Sequence, residues 1–79
     1  MQKELTDTES QVKNYRQKLG GTIRDLREKR GYSQEQLAQM MEVNCATISK
    51  IENGKFSITV DYLVRFSIFL DYEFKVVEL

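Results

Sequence analysis

The stretch "SQEQLAQMMEVNCATISKIENGK", Ser33 to Lys55, reads as two short helices separated by a tight turn at Met41 to Asn44. Ser33 is a good N-cap, and Gln36 three positions later completes a capping box, in which each residue's side chain satisfies the other's backbone N–H. Leu37, Ala38 and Met41 then fall on one side of a helix. Asn44 caps the next segment, Ile48 and Ile51 give it a single apolar face, and Gly54 stops it. Two short helices with this connection have helix-turn-helix spacing. With Ile48 and Ile51 inward, Ala46, Thr47, Ser49 and Lys50 point outward, and Cys45 lies at the edge.

Upstream, Val12, Tyr15, Leu19, Ile23 and Leu26 recur at helical spacing. Asp7 or Thr8 can cap this helix, and Gly31 closes it after a basic last turn. Gly20 and Gly21 weaken its middle by roughly 1 kcal/mol each relative to alanine, so the segment is either one long helix with a soft point or two pieces. Residues 1–10 are polar and expected to form a flexible N-terminus, with the helical domain spanning 11–71.

Downstream, Thr59 caps a fourth helix that runs to about Leu70, with Asp61 well placed in its first turn. This helix carries two apolar stripes. Val60, Leu63, Val64, Ser67 and Leu70 are expected to face the core. Tyr62, Phe66 and Phe69, with Ile68 nearby, are expected to meet a partner. The tail "YEFKVVEL" alternates Tyr72, Phe74 and Val76 against Glu73 and Lys75, which is a strand pattern. A lone strand leaves its own backbone groups unpaired, so residues 72–79 are expected to pair with the same strand of a second copy across a two-fold axis.

Composition narrows the function classes. The 79-residue chain has no histidine and one cysteine. Zinc sites of the usual ligand types are therefore implausible, Ser-His and Cys-His nucleophiles are excluded, and no cofactor is expected. Its carboxylates are scattered as on a solvated surface, and an enzyme is not expected. The N-terminus lacks a secretory pattern and no apolar run nears the ~18 residues of a membrane span, so a cytoplasmic location is expected. The formal net charge is zero, yet residues 13–30 hold seven basic groups against two acidic ones, while every other segment is net acidic. That asymmetry permits a basic face on a neutral molecule.

The segment "IRDLREKRGYSQEQLAQMMEVNCATISKIENGK" closely resembles the Cro/repressor-type (XRE) helix-turn-helix family. The matching features are Ile23, Leu26, Arg27 and Gly31, the Ser33-Gln34 opening, Leu37-Ala38, Val43, Ile48-Ser49, Ile51-Glu52 and Gly54. The resemblance implies a mainly α, lambda-repressor-like bundle of four to five helices that binds double-stranded DNA. It also implies a partly buried ion pair between Arg27 and Glu52, and a third helix entering the major groove by its N-terminal end.

By the same resemblance, Gln34 touches the DNA backbone from the first turn of helix two, and Asn53 and Lys55 grip a second phosphate. Asn44 and Thr47 can reach a phosphate or a base edge. Lys50 can donate to guanine, Ser49 to either kind of base pair, and Ala46 can touch a thymine methyl. Cys45 reads best as a small group at the edge of the interface; a redox-sensing thiol is the sharper alternative. Two departures stand out. Glu42 replaces the usual glycine at a turn position that can require φ > 0, and Ile58 replaces a common proline.

The expected function is thus a DNA-binding transcriptional regulator, a repressor acting as a homodimer on a palindromic operator. Tyr62, Phe66, Phe69, Tyr72, Phe74 and Val76 are the expected dimer contacts. The tail resembles that of HipB-like antitoxins, which adds a toxin as a candidate partner, and a restriction-modification controller is a near alternative. An interaction module that has lost DNA binding is the reading from another class.

Overall fold

The computed structural model describes the backbone of residues 2–79 and the side chains of residues 7–79. Four helices follow one another: α1 (Gln2–Lys29), α2 (Gln34–Met41), α3 (Cys45–Glu52) and α4 (Val60–Leu70). Residues 2–10 continue α1; Met1 and the side chains of residues 2–6, part of the segment expected to be a flexible N-terminus, lie outside the described residues. No strand occurs among the described residues, and 72–79 run on from α4 without regular structure. The expected strand needs a second strand to pair with, and one chain supplies none.

The caps follow the sequence closely. Ser33 accepts from the Gln36 N–H at 3.0 Å while the Gln36 side chain accepts from the Ser33 N–H at 2.8 Å. Asn44 Oδ1 accepts from the Ala46 N–H at 2.8 Å, and Thr59 accepts from the Tyr62 N–H. At the other ends, all four helices close on a residue in the left-handed region: Gly31, Glu42, Gly54 and Asp71. In each case the following N–H reaches back five residues, as Val43 does to the Ala38 carbonyl at 2.9 Å and Lys55 to Lys50 at 2.8 Å. This is the Schellman closure, which suits glycine. Glu42 (φ 57°) and Asp71 (φ 53°) adopt it with a Cβ in the way, so α2 and α4 end under local strain that α1 and α3 escape.

Ile23, Leu37, Ala38, Met41, Ile48, Ile51, Phe66 and Leu70 form the core. Helix α1 passes through Gly20 and Gly21 without a break. Gly20 is buried, and a Cβ there would collide with the carbonyl oxygens of Ile51 and Glu52, whereas one on Gly21 would meet nothing. Gly54 lies against the Gln17 backbone in the same way. The apparent soft point of α1 is therefore where it crosses the end of α3 at backbone contact. Beyond that crossing Val12 and Tyr15 leave the core and stand exposed.

The facing of α4 differs from expectation. Phe66, expected at a dimer interface, is fully buried beside Leu70, with Tyr62, Phe69 and Tyr72 half-buried against the same core. Val60 and Val64, expected inside, are exposed, as is Ile68, while Leu63 and Ser67 are half-buried. Both stripes are apolar, so periodicity could not rank them. The stripe with the larger side chains removes more apolar area from water, and it turns inward. Its rings also stack: Phe56 meets Tyr62 edge-on at 5.6 Å between centroids, and Tyr62 lies 6.4 Å from Phe66.

Candidate nucleic-acid interface

The two short helices are held in register by one carboxylate. Glu52, at the end of α3, is almost fully buried, and so is Arg27 of α1. Arg27 Nε donates to Glu52 Oε2 at 2.7 Å and Nη2 to Oε1 at 3.0 Å, a two-pronged pairing. The third nitrogen, Nη1, donates to the Tyr32 carbonyl at 2.7 Å. Hydrogen bonding to Glu52 holds the Arg27 guanidinium above its ordinary pKa, against the opposing effect of burial. Gln34, the first residue of α2, donates from Nε2 to Glu52 Oε1 at 3.0 Å. One buried carboxylate thus joins α1, α2 and α3.

This arrangement uses part of the expected binding set internally. One N–H of the Gln34 amide serves Glu52, and the amide's second N–H remains for an external acceptor. Asn44 spends its oxygen on the α3 cap, keeping its amide N–H groups free to point outward. Asn53 folds back on α3, donating from Nδ2 to the Ser49 carbonyl at 2.9 Å and lying 3.5 Å from the Ser49 hydroxyl. Ser49 is half-buried under that amide. Cys45 packs on the edge of the core. Thr47 is half-buried on the first turn, and Ala46 is exposed.

Lys50 and Lys55 are different. Both are exposed, and among the described residues neither forms an ion pair. They are the two long cationic groups that α3 and its closing loop present to solvent. Arg24 joins them from α1. Its side chain is half-exposed, and its Nε lies 3.9 Å from the Glu52 oxygen that Gln34 also binds. Arg24 therefore stands beside the first turn of α2. Sequence reasoning placed it only in a general basic face; its position three residues before Arg27 was the signal that both share one side of the helix. Arg30, from the same basic run, is committed elsewhere. It donates to the carbonyls of Leu70 at 2.6 Å and Asp71 at 3.1 Å, tying the end of α1 to the end of α4.

Chemically, the surface offers amide and ammonium donors around a short helix that carries no carboxylate on its own first turn. Such a surface suits an anionic, hydrogen-bond-accepting ligand. No helix among the described residues is long and apolar enough to cross a membrane.

Comparison with known proteins agrees with this geometry. The chain is 40% identical over 47 residues to the HTH-type transcriptional regulator RamB of Mycobacterium tuberculosis, covering 60% of this chain and 10% of RamB. It is 37% identical over 46 residues to a Pyrococcus furiosus protein named for an HTH-type transcriptional regulatory role, again covering 58% of this chain and 15% of that one. The chain thus spans a small fraction of the curated relatives it matches. Among solved structures it is similar to the restriction-modification controller protein C.AhdI from Aeromonas hydrophila, with a TM-score of 0.73 and 27% identity over 76% of this chain and 91% of that chain. Residues 23–77 match the helix-turn-helix family model, and the chain belongs to the Cro/C1-type (XRE) helix-turn-helix transcriptional regulators.

Proposed function

We propose that this chain binds a palindromic DNA operator as a homodimer and represses transcription from it. The N-terminal end of α3 enters the major groove, where Lys50 donates to guanine and Ala46 meets a thymine methyl. Gln34 with Arg24, and Asn53 with Lys55, grip the phosphates on either side, while Asn44 and Thr47 set the register. The observation that carries this reading is the unpaired Lys50 on an α3 whose other long side chains serve the fold. With few outward groups able to make bidentate base contacts, DNA shape and half-site spacing supply a larger share of specificity.

The second copy would cover the exposed apolar stripe of Val60, Val64 and Ile68 on α4 and the tail residues Phe74 and Val76. The likeness to C.AhdI, over 76% of this chain and 91% of that chain, supports a controller-type regulator.

Mobility-shift titrations across a salt series test the reading. Binding should weaken steeply with salt, and Lys55→Ala should lower the slope of log K against log salt by about one. Lys50→Ala should instead cost about 1–3 kcal/mol at one base position and relax preference there. Binding that ignores both substitutions would favour an interaction module that no longer reads DNA.

A further inference from the structure

Lys13, Gln17, Gly20, Arg24 and Arg27 follow one another at alternate spacings of four and three residues, which keeps them on one face of α1. Four of the five meet the end of α3 or its closing loop. Gln17 lies against the backbone of Gly54, and Gly20 against the carbonyls of Ile51 and Glu52. Arg27 pairs with Glu52, and Arg24 Nε stands 3.9 Å from the same carboxylate. No member of this stripe is acidic. Lys13, the remaining one, is exposed and forms no ion pair among the described residues. It also precedes residues 23–77, the part that matches the family model.

We propose that Lys13 is a DNA phosphate contact outside the helix-turn-helix, added to the grip at the loop that closes α3; this rests on the DNA-binding reading. One turn, about 6 Å of helix, separates Lys13 from Gln17. Side chains of a helix tilt toward its N-terminus, so Lys13 stands past the Gly54 contact, beside the loop that presents the exposed Asn53 and Lys55. Gly54 brings no side chain between that loop and α1, so one phosphate can be reached from both. An ammonium suits this use, because a phosphate is held well by a point charge with N–H donors. The other end of the stripe repeats the arrangement. Arg24 stands beside the first turn of α2, where Gln34 keeps one amide N–H for a phosphate. Arg24 and Lys13 are eleven residues apart, about 17 Å by helical rise. That span brackets a major groove about 12 Å wide, so α1 sets one cation at each of the two phosphate grips. Lys18, of the same charge, faces nearly the opposite way and lines the groove beside Phe74.

The test is a mobility-shift titration of the full chain against a random-sequence duplex across a salt series. Lys13→Ala should lower the slope of log K against log salt by about 0.9, the release of one counterion fewer, and weaken binding alike across sequences. Lys18→Ala should leave the slope unchanged. Both positions are exposed and alanine is the best helix former, so both variants keep the fold, which far-UV circular dichroism checks. An unchanged slope in Lys13→Ala overturns the contact and leaves the rest of the interface standing, as the loss in Lys55→Ala would show. An equal drop in Lys13→Ala and Lys18→Ala overturns it too, since α1 would then act only through its general charge. An unmodified chain that binds no duplex at low salt removes the DNA-binding reading and this contact together.

Discussion

The junction of α1 with α3 and the surface of α4 with its tail are built to different degrees of completion. At the junction every strong polar group has a partner: Arg27 uses all three nitrogens, Glu52 accepts from two residues, and Gly20 lets backbones touch. On the other surface Val60, Val64, Ile68 and Phe74 stand in solvent, and the Tyr72 hydroxyl is buried with no hydrogen-bond partner. Polar satisfaction is complete at the junction that fixes α3, the helix proposed to face DNA. It is incomplete where a second copy would meet the chain.

The difference can be broken most forcefully at Glu52. Replacing it with alanine strands Arg27 and Gln34 in a buried site and should cost about 3–5 kcal/mol, a large share of a small domain's stability. Chemical denaturation would show it, and a loss below about 1 kcal/mol would mean that the carboxylate does not hold the junction. The next largest effect is a contrast of neighbours. Gly20→Ala should lose about 1–3 kcal/mol through collision with α3's last carbonyls, while Gly21→Ala should gain up to about 1 kcal/mol from helix propensity alone. Equal effects at the two positions would contradict the backbone contact.

Smaller changes sharpen the picture at the strained or unpaired points. Glu42→Gly should raise stability by about 1 kcal/mol, because glycine takes the left-handed φ without the Cβ cost. Tyr72→Phe should be neutral or stabilising by up to about 1 kcal/mol, since it deletes a buried hydroxyl that has no partner. Burial also pushes the Tyr72 pKa up, so the folded state keeps a proton that the unfolded chain releases. Stability should therefore fall as pH rises through the ordinary tyrosine range near ~10, and Tyr72→Phe should flatten that fall. Thermal melts at alkaline pH would measure both effects.

Much of this was legible in the sequence, for local reasons. Ser33, Gln36, Asn44 and Thr59 cap helices through bonds to residues two or three positions away, so their spacing is enough to read them. The left-handed φ of Glu42 was legible in the same way, from the glycine it replaces in the family pattern. The role of Gly20 is not legible locally, because its reason lies more than thirty residues along the chain, in the end of α3. The inward facing of Phe66 is not legible because α4 is apolar on two sides, and only three-dimensional space decides which is filled first. The internal use of Gln34 and Asn53 was hidden for a related reason. An amide suited to a phosphate is equally suited to a buried carboxylate or a helix carbonyl.

The most direct test of the whole account is selection of bound duplexes from a random pool by the full chain. A homodimer reading DNA through two α3 helices predicts an enriched inverted repeat, its half-site centres about one helical turn, roughly 34 Å, apart. Enrichment of a single unsymmetric site, or of no sequence at all, would contradict it.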